Sequence, residues 1–169
     1  MRRLLPRATF SWLVGLSSAL CACSSQPESS GNSLATAGSG NTVVGCQAND
    51  GDTYTPGLKK SGSVGRFDFT LVSSTPAPPA LDDNRFVVQV TDAEGNAVDG
   101  ELSVALDMPE HGHPSPKQPE IRFDEESQTF ALEPMRLFMV GLWRITFQFE
   151  RAVDGTTLAD SATFEFCID

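Results

Sequence analysis

From residue 66 onward, apolar side chains recur at every second position, and this two-residue period constrains the chain more than any other feature. Phe67, Phe69 and Leu71 alternate with Arg66, Asp68 and Thr70, and Phe86, Val88 and Val90 form a second such set. Successive side chains on a strand leave opposite faces of a sheet, so each run reads as a strand with one apolar face. The pattern returns from Glu101 to Leu106, from Trp143 to Glu150 and from Ala162 to Phe166. A helix would need apolar residues three and four apart, and no long segment offers them. Asp92-Ala93-Glu94-Gly95-Asn96 and Val153-Asp154-Gly155-Thr156 read as hairpin turns, and the Pro-rich Thr75 to Pro79 as a longer crossing. About seven short strands of this kind predict an all-β domain, an immunoglobulin-like antiparallel β-sandwich spanning 46–169, with Trp143 and the phenylalanines between its sheets.

The residues before that domain carry an address. Arg2, Arg3 and Arg7 precede an apolar stretch from Phe10 to Leu20, then small residues and a cysteine, the layout of a secretory signal. The stretch is too short to span a bilayer. Leu20-Cys21-Ala22-Cys23 resembles a lipobox, with Leu at minus three, Ala at minus one and the modified Cys at plus one. Cys21 fits worse, because it would put bulky Leu20 where the peptidase reads a small residue. Residues 1–22 are therefore expected to be a signal peptide and Cys23 the lipidation site. Two or more acyl chains, at about 0.8 kcal/mol per buried methylene, would make the anchor effectively permanent. Residues 23–45 are rich in Ser, Gly, Asn, Ala and Thr and have almost nothing to bury, so a disordered tether with a mean reach of roughly 25 Å is expected. The expected location is the cell envelope, lipid-anchored, on an outer membrane facing the periplasm if the cell is Gram-negative, since Ser24 rather than Asp follows the lipidated residue.

Charge narrows the partners. Removal of 1–22 leaves nine basic residues against twenty-two acidic ones, a difference of −13. A surface of that sign repels phosphate backbones, which excludes nucleic acid, and it reads first as a solubility device. Two cysteines remain, Cys46 and Cys167. In an oxidising compartment they are expected to form one disulfide; two free thiols ligating a metal is the alternative.

Catalytic arrangements are missing. The chain has no Gly-x-Ser-x-Gly and no His-Glu-x-x-His, and Gly57 to Ser63 lacks the ending of a phosphate loop, so an enzyme is not expected. Instead, both histidines and every methionine after Met1 fall in two segments, Met108-Pro109-Glu110-His111-Gly112-His113-Pro114 and Met135-Arg136-Leu137-Phe138-Met139. On an extended piece His111 and His113 would point the same way. Imidazole pairs suit Cu(II), and added thioethers suit Cu(I). If the two segments converge, Met108, His111 and His113 with Met135 or Met139 would surround one copper ion. The alternative is that Met108 is the last core residue of its strand, that His113 hydrogen-bonds a turn, and that Met135 and Met139 pack.

These residues also carry a family likeness. Asp92-x-x-Gly95-x-x-Val98, then Val104-x-Leu106-x-Met108-Pro109-x-x-Gly112-His113, a further strand pair, and Met139-x-Gly141-x-Trp143 together resemble the YtkA-like domain, a relative of the FixH family. The likeness covers about 84–150. It implies an extracytoplasmic β-sandwich and an association with copper handling or respiratory-oxidase assembly. The matching positions are Met108, His113 and Met139, while Glu110-His111 stands where many relatives carry a second Met and departs toward harder donors. The expectation is a membrane-anchored module that holds copper and hands it to an envelope protein partner, or else a metal-free interaction module of the same fold. The anchor has a direct test. The mature protein should take up labelled palmitate and partition into detergent, and Cys23→Ser should do neither; equal partitioning of the two would exclude the anchor.

Overall fold

A computed structural model describes Cys46 and residues 51–169; the expected signal peptide, Cys23 and the tether lie outside the described residues. The alternation read from the sequence resolves into nine antiparallel strands, and no helix occurs among the described residues. One sheet contains β1 (Leu58–Ser61), β2 (Asp68–Thr75), β3 (Asp82–Thr91), β7 (Thr129–Leu137) and β6 (Glu120–Asp124), in that spatial order. The other contains β5 (His113–Pro114), β4 (Glu101–Met108), β8 (Gly141–Val153) and β9 (Thr156–Ile168). Two strands exceed the expected seven. Leu-Lys-Lys-Ser in β1 has no apolar alternation to betray it, and β5 is two residues long and includes a proline.

The inward positions of both sheets form a single core. Phe69, Leu71, Phe86, Val88 and Val90 from one face meet Leu106, Trp143, Ile145, Phe147 and Phe149 from the other. Aromatic edges cross the interface, as in Phe86 with Phe166 (6.4 Å between centroids) and Phe130 with Phe149 (6.0 Å). Such contacts add about 0.5–1.5 kcal/mol each beyond the area they bury.

Two expectations about connections change. The Asp92–Asn96 turn does close on itself, with Asp92 N–H donating to Asn96 O (2.9 Å) and Val98 N–H to Val90 O (3.0 Å). It does not join β3 to β4 as a hairpin, however, because β4 lies in the other sheet. The Pro-rich 75–79 stretch is no crossing between sheets, since the β2 and β3 that it connects are neighbours in one sheet.

Register irregularities decide which way some side chains face. Between Phe86↔Leu132 and Asn84↔Met135, β7 advances three residues while β3 advances two, a bulge at Glu133-Pro134. Proline has no N–H to give the ladder, which makes it a residue for such a place. The extra residue inverts the parity: Phe130 and Leu132 point inward before it, and Met135 and Leu137 after it.

β9 would be a long bare edge, but the chain leading to β1 and the β1–β2 turn cover it. Asp52 N–H donates to Glu165 O (2.6 Å), Lys60 Nζ to Thr163 O (2.9 Å) and Ser63 N–H to Ser161 O (2.8 Å). The Asp160 carboxylate anchors the turn, accepting the N–H groups of Val64 (3.0 Å), Arg66 (2.8 Å), Phe67 (3.1 Å) and Ser161 (2.8 Å). Burial pushes its pKa up, but those four donors outweigh burial and hold it below the usual carboxylate value of 3.8. A pKa depressed on folding stabilises at pH above the unfolded value and loses that stabilisation as pH falls through the folded one. Urea titrations should therefore show stability declining below about pH 4. Asp160→Asn should lower stability by about 1–3 kcal/mol at neutral pH and flatten that acid decline; an unchanged acid limb would refute the assignment.

Candidate functional site

The two segments that hold the histidines and methionines meet at one end of the sandwich. β4 runs as far as Met108, and a tight turn over 109–112 brings His113 back to pair with it. His111 and Gly112 N–H groups both donate to Met108 O (3.0 and 2.9 Å), and Gly112 takes a φ of 66° that a side chain would resist. The expected extended piece is thus a hairpin, because Gly112 allows the reversal and Ser115 N–H then returns to Leu106 O (2.8 Å). Ser115 also ties this hairpin to the other sheet through Oγ donating to Arg136 O (3.0 Å). Beyond it, the His113 ring stacks on Phe138 with 5.7 Å between centroids.

Phe138 stands edge-on to Trp143 (5.5 Å), whose buried indole Nε1–H donates to Met139 O (2.8 Å). Trp143 is the third residue of β8, and Gly141, which begins the strand, faces Met108. A Cβ on Gly141 would fall 2.8 Å from the Met108 Cε, at a φ of 131° that L side chains rarely adopt. The Met-x-Gly-x-Trp spacing therefore has a packing meaning: the glycine leaves room for a methionine from the neighbouring strand, and the tryptophan binds the backbone of the first residue.

The five expected metal donors divide by burial. His111 is exposed and His113 half-buried, and their ring centres lie 5.7 Å apart. One ion bonded to a nitrogen of each ring at about 2.0 Å requires ring centres roughly 4.5 to 6.4 Å apart, from a right-angled to a linear arrangement. The distance between the two ring centres lies within that range. Met139 is half-buried against the core, whereas Met108 and Met135 are both 0% exposed. Met108 is the last residue of its strand, and Met135 belongs to β7 and is turned inward by the bulge.

The cysteines lie elsewhere. Cys46 and Cys167 form a disulfide with 5.6 Å between their Cα atoms. Among the described residues, Cys46, Cys167 and Asp169 are the one set of three His, Cys, Asp or Glu side chains with donor atoms within 4.8 Å of one another. Two of the three are consumed by the disulfide, so no thiolate remains to ligate a metal. A cleft of about 470 Å³ beside this bond is lined by Tyr54, Pro78, Pro79 and Phe166 among others, and it contains no imidazole or thioether. Sequence reasoning missed Phe138, the ring on which His113 rests; its position one residue before Met139 was its only signal.

A family model described as YtkA-like matches residues 64–148. No curated protein and no solved structure matches the chain. The disulfide has its own consequence for stability. Closing a loop across 121 residues restricts the unfolded chain, so Cys46→Ala/Cys167→Ala should cost about 2–4 kcal/mol in urea unfolding. With Cys21 and Cys23 replaced by Ser, the unfolded, unreduced protein should show no thiol to Ellman's reagent; two titratable thiols would contradict the pairing.

Proposed function

This chain belongs to the YtkA-like family, and from that premise we propose that it is an extracytoplasmic, lipid-anchored module that holds a copper ion and passes it to another protein of the cell envelope. Cys23 supplies the anchor, and residues 23–45 supply the leash. The observation that carries the reading is the imidazole pair: the only two histidines of the chain lie on one rim with ring centres 5.7 Å apart. Chance placement of a solvating histidine would not need a partner, and a pair at that spacing suits chelation. The ring of His113 is held by Phe138 rather than free to rotate into solvent, which lowers the ordering cost of binding.

A bound copper ion would contribute Lewis acidity and redox capacity, and the imidazoles of the rim are suited to holding and releasing it. The acidic surface raises the local concentration of cations modestly. A second reading, a metal-free interaction module, is favoured by one feature: β5 covers β4 only at Asp107 and Met108, so the rest of that sheet edge has no strand neighbour among the described residues and could pair with a partner strand.

Equilibrium dialysis of the full mature chain in detergent against Cu(I) and Cu(II) tests the leading reading. The native protein should bind about one ion, and His111→Ala/His113→Ala should weaken binding by about tenfold or more. Equal affinities would dismiss it, and a crosslinked envelope partner retained by the double variant would favour the second.

A further inference from the structure

Two of the three sulfur donors, Met108 and Met135, have no exposed surface, while Met139 is half-buried as His113 is, and each sulfur has a packing cause for being where it is. The Met108 methyl occupies the space that a side chain at 141 would need. Met135 is carried into the core by the parity change at Glu133-Pro134. Met139 packs against the core, and its carbonyl is taken by the Trp143 indole. Interiors are packed to crystal-like density, so a thioether with no exposed surface reaches an ion only if the surrounding core opens. The imidazoles of His111 and His113 need no such opening.

Resting on the copper reading above, we infer that the rim binds Cu(II) through His111 and His113, and that Met108, Met135 and Met139 are packing residues that build its floor. Imidazole is a donor of intermediate hardness that suits Cu(II), whereas thioether is the soft donor that selects Cu(I), so full burial of two of the three thioethers, with the third packed against the core, favours the oxidised ion. Phe138 enters as a positioning residue, since it holds the His113 ring without touching the metal. Its replacement by Ala should weaken Cu(II) binding, and Phe138→Tyr, which keeps the stacked ring, should restore it.

Dialysis and electron paramagnetic resonance of the full mature chain in detergent decide the matter, with Cu(I) maintained by ascorbate, which leaves the disulfide intact. The Cu(II) spectrum should show coupling to two imidazole nitrogens. Met108→Leu/Met139→Leu should bind Cu(II) within about threefold of the native affinity, because Leu for Met conserves core volume. Near-ultraviolet circular dichroism and Trp143 emission report whether that variant keeps its packing, and Met139→Leu alone, at the half-buried position, serves if it does not. A drop of about tenfold or more in Cu(I) affinity in a folded Met variant, or a Cu(II) spectrum lacking two-nitrogen coupling, overturns the inference while leaving the copper reading standing. Failure of the native chain to bind either ion overturns both.

Discussion

A tryptophan with no exposed surface must give its indole N–H a partner away from water, and in this sandwich that requirement organises the end of the molecule that matters. An unpaired buried donor costs about 1–3 kcal/mol, so Trp143 bonds the carbonyl of Met139, four residues back. That bond ties Met139, just ahead of β8, to a side chain within the strand. Phe138 then lies edge-on to Trp143, and the only imidazole with a stacking partner, His113, rests on Phe138. A hydrophobic residue near the start of β8 thereby positions a polar residue that lies thirty positions earlier in the chain.

The same economy of placement appears along β9. Its thirteen residues would present a row of unpaired backbone groups, the usual template for unwanted strand addition. Lys60, Asp52 and Ser63 occupy that row in turn, and Lys60 also forms an ion pair with Asp52 (2.6 Å) and lies over the Phe164 ring (5.2 Å). The disulfide holds the start of this cover to the end of the strand it covers. Asp160, from the covered strand, is the centre of the β1–β2 turn, so the edge and its cover stabilise each other.

Much of the fold was legible because burying one face of a strand imposes a period of two, and that period survives in the residues wherever the strand is regular. The five runs read as alternating fall within β2, β3, β4, β8 and β9, with Phe67 just ahead of β2. It was lost where regularity was lost. β1 is a polar edge with no apolar face to display, β5 is too short to have a period, and the bulge in β7 reverses inside and outside at Met135, a shift visible only from the pairing with β3. The Cys46 to Cys167 bond was legible for a different reason, since with Cys21 and Cys23 assigned to the expected signal and anchor, two cysteines leave little choice of partner.

The candidate site divides along the same line. The sequence by itself determined that histidines and methionines are confined to two segments, because residue identity needs no structure to be counted, and that the chain is built of strands, because backbone geometry imposes their period. Only the tertiary structure decided that the two segments meet, that Phe138 stands between the imidazole and the core, and that Met108 and Met135 are fully buried while His111 is exposed. Those are properties of register and of the contact between two sheets, set by pairings between residues distant in the chain, and no local pattern encodes them.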